Sequence, residues 1–313
     1  MNQSTNVLFI TGVGGLGDYG YNDEGFAGVQ RAIKELGVKL DIVELNKIAD
    51  LSETIYLSGA AKKKYAVIVA LGFYQGDAAN AAAKKISDQK MIIIDALSSE
   101  PNVKGVLFRE EENAFLAGML AAHVTQGKVI GIILGVDAPH VNRYAFAYEA
   151  GARTVHYDVK VLVDTVGDFR DRERGKQLSL SQINRGADVI YQVAGRAGLG
   201  VFDAAEEKEI YAIGEGLNQN KLRPEFIIAS TYKRMDLAIF EAIHDALENT
   251  FTGGNFSYGF DNNYLEFSLE DSLVPIAEKV KRDLLKYRQK LARNEIKAPT
   301  NQQELIGYFK TIV

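Results

Sequence analysis

The chain of 313 residues contains no cysteine and no tryptophan, and it has only four histidines. Without cysteine, disulfide bonds, thiol nucleophiles and cysteine-ligated metals are excluded. The histidines stand singly at positions 123, 140, 156 and 244, without the short spacing of a metal-binding pair. We therefore expect neither a metal site nor a cofactor.

Two further absences concern positive charge and long apolar runs. The net charge is -5 and no block of lysine and arginine occurs, so a nucleic acid is not an expected partner. No run approaches the roughly 18 apolar residues that span a bilayer, and no signal peptide precedes the first apolar run. The protein is either cytoplasmic or separated from an export segment, and the composition leaves both open.

The sequence does contain an alternation of short apolar runs and helical patterns. "NVLFITGV" (6–13) predicts a buried strand, and "GFAGVQRAIKELG" (25–37) predicts a helix that ends at its last glycine. The alternation begins again at "KVIGIILGV" (128–136) and continues to "EFIIASTYK" (225–233). This pattern predicts parallel sheets covered by helices on both faces, in two similar lobes. A strand, a turn and a second strand are predicted at 256–270, and an amphipathic helix at 275–296.

A glycine-rich stretch follows the first predicted strand. "GVGGLG" (12–17) fits the dinucleotide-binding pattern G-x-G-x-x-G, which uses glycines to bring the backbone close to a phosphate. The loop is expected to continue through Asp18 as far as Asp23, which delays the helix and places a carboxylate beside the supposed pyrophosphate. A flexible connection, or a site for another ligand, is therefore favoured over a dinucleotide site. Asp18, Tyr21, Asn22 and Phe26 supply the hydrogen-bonding groups and rings that suit a flat polar heterocycle.

Other candidate residues stand where predicted strands end. Asp95 follows "MIII" and either binds a ligand or caps the next turn, whereas Phe108, a lone aromatic, is a core residue by default. Gly195 either allows close approach of a ligand or forms a tight turn, and Lys233 is a cation that could pair with Glu215. Open α/β sheets bind ligands outside the carboxyl ends of their strands. The candidates at these ends are Asp95, Phe108, Tyr191, Gly195, Glu215 and Lys233.

The motifs resemble those of the basic membrane protein family. "GDYGYNDEGFAG", "VLFREEENAFLAGMLAA", "ADVIYQVAGRAGLGV", "AIGEGLNQ" and "IIASTYKRMD" occur in the family's order and span nearly the whole chain. The family's best understood members resemble purine nucleoside receptor lipoproteins. The resemblance implies a type I periplasmic-binding-protein fold, with two Rossmann-like lobes, parallel sheets and an interlobe cleft. The lobes are expected at 1–126 plus 234–260 and at 127–233 plus 261–313.

The resemblance also implies a function without catalysis. The chain is expected to be the substrate-binding protein of an ABC-type importer, holding a purine nucleoside between its lobes and meeting the permease subunits. Asn22 and Asp95 would bind the edge of the base. Tyr21, Phe26 and Tyr191 would stack on it, and Lys233 would hold hydroxyl groups.

One position departs from the family. The aspartate that grips the ribose is replaced by Gly216, with Glu215 one position earlier. Either Glu215 takes over this contact or the sugar contact is lost. A free purine base or a riboflavin-like ligand therefore stays possible.

The family's lipobox cysteine is absent from this chain. The resemblance implies an extracytoplasmic protein, attached to the cell membrane only through a lipid anchor outside these residues. The main rival is a nucleoside-processing enzyme, but the candidate residues include no histidine and no pair of carboxylates at one site. A cytoplasmic regulator would need a helix-turn-helix, and none is evident outside the predicted lobes.

Overall fold

The structure, a computed structural model, describes residues 5–45 and 65–312. These residues divide into two compact units. Unit 1 contains the described residues up to Phe108 together with Arg234–Tyr258. Unit 2 contains Arg109–Lys233 together with the described residues from Gly259 onward. The chain therefore passes from one unit to the other three times.

Strands and helices alternate through the described ranges. The strands are β1 (Asn6–Ile10), β2 (Lys39–Val43), β3 (Val67–Leu71), β4 (Met91–Ile94), β5 (Val103–Phe108), β6 (Val129–Leu134), β7 (Lys160–Thr165), β8 (Val189–Val193), β9 (Tyr211–Glu215), β10 (Ile227–Lys233), β11 (Gly254–Tyr258) and β12 (Leu265–Ser268). The helices are α1 (Tyr21–Leu36), α2 (Gly76–Lys85), α3 (Glu110–Val124), α4 (Pro139–Val155), α5 (Arg172–Asn184), α6 (Leu199–Lys208), α7 (Met235–Glu248), α8 (Glu278–Ala292) and α9 (Gln302–Ile312).

Unit 1 is built on a parallel sheet with the strand order β11-β5-β4-β3-β1-β2. Every residue of β3 and β4 is buried, which explains why these strands are continuous apolar runs without alternation. Strand β11 returns to this sheet after α7 and pairs with β5.

Unit 2 repeats the arrangement with the strand order β12-β10-β9-β8-β6-β7. Its pairs are parallel except that β12 runs antiparallel to β10. The two strands predicted around the turn at 260–263 therefore join different sheets. In both units the carboxyl ends of the parallel strands lie along one edge, where the candidate residues stand.

Helix α1 begins earlier than expected, so the prediction that the loop continues to Asp23 is wrong. The helix starts at Tyr21, and the Asp18 carboxylate accepts hydrogen bonds from the amides of Gly20, Asn22 and Asp23 at 3.0, 2.9 and 3.2 Å. A carboxylate that binds the first amides of a helix acts as its cap. Asp18 stands among glycines, which are turn-forming residues, so the sequence predicted a longer loop and did not identify the cap.

Residues 109–126 belong to unit 2, whereas the sequence placed them in the first lobe. Their helix, α3, packs closely against α4, and two glycines make this approach possible. A Cβ on Gly118 would lie 1.9 Å from the carbonyl oxygen of Tyr148, and a Cβ on Gly151 would lie 1.9 Å from that of Phe115. The terminal helix α9 was not predicted. Among the described helices, none combines the length and apolar character needed to cross a bilayer.

Candidate functional site

The glycine-rich loop of unit 1 is held by its own side chains. The amide of Gly12 donates to Asn22 Oδ1 at 2.7 Å, and Asn22 Nδ2 donates to Asp18 Oδ2 at 2.9 Å. The amide of Val13 donates to the hydroxyl of Tyr74. Both the oxygen and the nitrogen of the Asn22 side-chain amide are therefore hydrogen-bonded to residues of the loop.

The second half of the loop is bonded in the same way. Asp23 accepts hydrogen bonds from the amides of Gly17 and Tyr19, at 2.7 and 2.8 Å. The amide of Leu16 donates to Glu44 Oε2 at 3.1 Å. A phosphate-binding loop needs such amides directed at the ligand. Because these amides are bonded to side chains, the loop is not arranged as a dinucleotide site.

Asp18 lies at the centre of this loop and is 2% exposed. Burial raises the pKa of its carboxyl above the ordinary value, and the amides of Asn22 and Gly20 oppose that rise by donating to the carboxylate. The structure thus gives Asp18 an organising role in the loop.

The remaining candidates of unit 1 occupy two different environments. Asp95 follows β4 in the left-handed region, at φ 66°, and its amide donates to Val106 O at 2.7 Å. Phe26 is half-buried on α1, with its ring 5.6 Å from that of Phe9. Phe108, by contrast, is a core residue 1% exposed, with its ring 5.9 Å from that of Tyr258.

Tyr74 and Asp95 are electrostatically coupled within unit 1. Burial raises the pKa of Tyr74, and the negative charge of Asp95 raises it further. The Tyr74 phenol therefore stays protonated at neutral pH. A second phenol of this unit, Tyr21, is half-buried at the start of α1. This unit presents aromatic groups, a phenol and one carboxylate at the carboxyl edge of its sheet.

Unit 2 holds a buried ion pair at the corresponding edge. Lys233, the last residue of β10, donates from Nζ to Glu110 Oε1 at 2.5 Å, and each side chain is 3% exposed. Glu110 is the first residue of α3, where the helix dipole favours a negative charge. The sequence suggested Glu215 as the partner of Lys233, and the ion pair found is with Glu110.

The first two turns of α4 complete this arrangement. Arg143 donates to Glu110 Oε2, and His140 Nε2 lies 3.7 Å from Glu110 Oε1. The hydroxyl of Tyr144 donates to Glu215 Oε1 at 3.3 Å. Burial raises the pKa of Tyr144, so this phenol stays a donor. We call Glu110, Arg143, Tyr144, Glu215 and Lys233 the Glu110 cluster.

Glu215, the last residue of β9, is fixed by buried amides. Its backbone amide donates to Gln219 Oε1 at 3.0 Å, and Gln192 Nε2 donates to its carbonyl oxygen at 2.9 Å. Gly216 follows at φ 106°, a backbone conformation that strongly favours glycine. The carboxylate at this bend therefore comes from position 215.

Four members of the cluster, Glu110, Tyr144, Glu215 and Lys233, line a narrow cavity within unit 2. Carboxylates accept hydrogen bonds, and the ammonium and phenol donate them, so the lining suits a ligand rich in hydroxyl groups. The lining residues are Glu110, Asn113, Tyr144, Glu215, Thr231, Tyr232 and Lys233.

Two candidates of unit 2 lie apart from the cavity lining. Tyr191 is fully buried, its hydroxyl is 2.7 Å from Thr231 Oγ1, and its ring packs between those of Tyr144 and Tyr148. Tyr191 therefore packs against the Glu110 cluster inside unit 2, whereas the sequence predicted that its ring stacks on a ligand. Gly195 has φ 56° and starts the tight turn between β8 and α6, one of the two alternatives considered.

Sequence reasoning overlooked Glu110 and its α4 partners. Three consecutive glutamates follow β5, and glutamates in the first turn of a helix are usually explained by capping and the helix dipole alone. The available signal was the position of Glu110, two residues after the end of β5. Arg143 lies in the second turn of α4, and only the packing of α4 on α3 brings it to Glu110.

Glu111 predicts a measurable pH dependence of stability. Burial raises the pKa of its carboxyl to about 7, despite Arg143 Nη1 at 3.4 Å from Oε2. Between the ordinary pKa of 4.5 and this value, the folded state retains a proton that the unfolded chain has released. The free energy of unfolding therefore falls as the pH rises through this window.

Glu111→Gln removes this loss because glutamine does not titrate. We expect the variant to gain stability relative to the parent between pH 5 and pH 8, by at most about 3 kcal/mol. Urea unfolding at pH 5 and pH 8 measures the free energy of unfolding of each protein. Glu225→Gln, which changes an exposed carboxylate, is the control. Equal pH dependence in parent and Glu111→Gln would contradict the assignment.

Comparisons with known proteins agree with this architecture. The family model for ABC transporter substrate-binding proteins of the PnrA-like type matches residues 5–302. An uncharacterised lipoprotein of Pyrococcus horikoshii is 31% identical over 88% of this chain and 72% of its own length. The nucleoside-binding protein of an ABC transporter from Lactococcus lactis subsp. cremoris is 28% identical over 89% of this chain and 86% of its own.

A solved structure gives the same result for the fold. The solute-binding protein of an ABC transporter system from Aeropyrum pernix superposes with a TM-score of 0.88 at 28% identity, over 98% of this chain and 97% of that one. The predicted type I periplasmic-binding-protein fold is confirmed, as is a binding role rather than catalysis. The chain therefore belongs to the basic membrane protein family of ABC-transporter substrate-binding proteins.

Proposed function

We propose that this substrate-binding protein takes a purine nucleoside as its ligand. The observation that carries the proposal is the buried Glu110 cluster of unit 2. Two carboxylates, an ammonium and a phenol line one narrow cavity, so hydrogen-bond acceptors and donors stand side by side there. A sugar with vicinal hydroxyl groups satisfies such a set, because each hydroxyl both donates and accepts.

Glu110 and Glu215 are proposed to accept hydrogen bonds from the sugar hydroxyls, and Lys233 to donate to a sugar oxygen. Glu215 thereby takes the place of the aspartate that the family usually carries at position 216. The hydrogen bond from the Tyr144 hydroxyl to Glu215 Oε1 supports this exchange, since it places the Glu215 carboxylate within the cluster. With two carboxylates in the lining, a phosphate group would be repelled, so a nucleotide is disfavoured.

The residues of unit 1 are proposed to recognise the base. Asp95 follows β4 at the carboxyl edge of the sheet, where open α/β sheets bind ligands, and would accept hydrogen bonds from N–H groups of the base. Tyr21 and Phe26 supply half-buried rings for stacking, worth about 0.5–1.5 kcal/mol beyond area burial. Asp18 and Asn22 act indirectly, by fixing the loop that carries Tyr21.

The native protein is proposed to act at the outer face of the cell membrane. Its relative in Pyrococcus horikoshii is a lipoprotein, and its family delivers ligands to ABC transporters. The partners of the ligand-bound form would then be the membrane subunits of an importer.

A ligand panel tests the nucleoside. Protein freed of bound molecules by unfolding and refolding is mixed with adenosine, guanosine, inosine, adenine, guanine, riboflavin or adenosine monophosphate. At a hundredfold excess over Kd, a true ligand stabilises by about 2.7 kcal/mol, read as an increase in Tm. We expect this increase with at least one nucleoside and with neither the free bases nor the nucleotide.

The other outcomes of the panel are equally informative. A response to adenine equal to that of adenosine would show that the hydroxyl contacts contribute nothing, and the ligand would be a free base. A response to riboflavin alone, or to no compound, would overturn the proposal.

A further inference from the structure

Helix α8 carries an unusual concentration of positive charge for this chain. It contains six cationic and two anionic side chains, a net +4, on a protein whose net charge is -5. The helix packs on unit 2 through Leu284 and Leu291, which are 5% and 2% exposed. Its opposite face is in contact with solvent.

Four exposed residues form what we call the outer face of α8: Lys279, Arg282, Leu285 and Lys286. They share one side of the helix because they are spaced three and four residues apart. No carboxylate of the described chain forms an ion pair with the three cations of this face, whereas the neighbouring Lys281 pairs with Glu278 at 2.7 Å. The hydrogen bond from Lys281 and, to a smaller extent, the charge of Arg282 lower the pKa of the Glu278 carboxyl, whereas Lys279 and Lys286 present their charges to solvent.

Leu285 is 53% exposed and lies one turn beyond Arg282, next to Lys286 in the sequence. A purely electrostatic docking face has no use for an exposed leucine. In contrast, helices that lie on a bilayer combine cations with large apolar side chains, and the apolar side chains enter the headgroup region. Clusters of lysine and arginine on such helices bind anionic lipids.

We infer that the outer face of α8 binds anionic phospholipid headgroups, with Leu285 inserted between them. The contact orients unit 2 on the membrane. The inference does not depend on which ligand the protein carries, since it concerns residues outside the Glu110 cluster.

Sedimentation with vesicles tests the inference on the full chain. One set of vesicles is phosphatidylcholine alone, and in the other about a third of the lipid is phosphatidylglycerol. We expect the protein to sediment with the anionic vesicles only, and to be released in about 1 M salt, where the Debye length is about 3 Å.

The triple variant Lys279→Glu/Arg282→Glu/Lys286→Glu should bind the anionic vesicles at least tenfold more weakly. The matched control is Lys34→Glu/Lys39→Glu/Lys84→Glu, which changes the net charge equally at exposed lysines of unit 1 and should bind like the parent. Equal losses in both triple variants would show a nonspecific charge effect and overturn the inference.

Leu285→Ser separates a lipid surface from another polyanion. This variant should bind the anionic vesicles several-fold more weakly than the parent, and neither protein should bind a DNA duplex at the same salt concentration. Binding to DNA as tight as to vesicles, unaffected by Leu285→Ser, would assign the face to polyanions in general and overturn the lipid proposal. The Tm of each variant verifies that it is folded.

Discussion

Glu110→Gln is expected to weaken ligand binding about a hundredfold, because hydrogen bonds to a charged group contribute about 1.5–3 kcal/mol. The substitution keeps the shape of the side chain but removes the charge that Lys233 and Arg143 contact. Glutamine also presents a donor where the proposed ligand hydroxyl needs an acceptor. Isothermal titration with the best nucleoside of the panel measures the loss.

The same substitution lowers stability, so binding must be separated from folding. Glu110→Gln removes the carboxylate that Lys233 contacts at 2.5 Å, which is costly for a buried charge, whereas Glu110→Gln/Lys233→Met removes both charges and should recover part of the Tm. Neither variant should recover affinity. Recovery of tight binding in the double variant would contradict a direct role of Glu110.

Glu112→Gln is a matched control on the same helix. Its carboxylate is bonded to Arg109 at 2.6 Å and to the amide of Phe260 at 2.8 Å, and it does not line the cavity. This variant should lose stability while its Kd stays within about twofold of the parent. A comparable loss of affinity in both variants would mean that Glu110 acts only through the fold.

Gly118→Val is expected to lower stability by about 3 kcal/mol or more, since overpacked positions with no room to relax cost this much. The Cβ of any larger residue would lie 1.9 Å from the carbonyl oxygen of Tyr148, so α3 and α4 must separate. The Tm should fall by about 10 °C, given roughly 2–4 °C per kcal/mol in a protein of this size. Thermal unfolding followed by circular dichroism measures it.

Gly307→Ala is the control for this substitution. Gly307 lies in α9 and a Cβ there meets no neighbouring atom, so alanine should stabilise the helix by about 0.5–1 kcal/mol. If Gly118→Val retained the parent Tm, the close approach of α3 and α4 would be wrong.

Most of the fold follows from patterns that the sequence displays openly. Buried parallel strands such as β3 and β4 are uninterrupted apolar runs, and helices between them are identified by periodicity and terminal glycines. The start of α1 escaped this reasoning because its cap, Asp18, is embedded among turn-forming residues. The assignment of α3 to unit 2 escaped it because helix packing is a long-range property.

The sequence identified several of the candidate residues individually, but it did not predict the contacts between side chains. Strand-end positions identified Asp95, Glu215 and Lys233, since topology places them on known edges of the sheets. Glu110 and Arg143 lie on two helices, and their contact depends on glycines at 118 and 151 that look like ordinary small residues. Tyr191 was expected to stack on a ligand, but its ring packs against Tyr144 and Tyr148. The sequence of a strand does not show which side chains pack against each face of the sheet.

The hydrogen bonds that hold the loop between β1 and α1 bear on the entropy of the proposed ligand binding. Fixing a backbone residue costs about 1–2 kcal/mol in lost conformational freedom. Here the amides of Gly12, Gly17 and Tyr19 are already fixed by Asn22 and Asp23. That freedom has been lost during folding, before any ligand arrives, so this loop adds no ordering penalty to association.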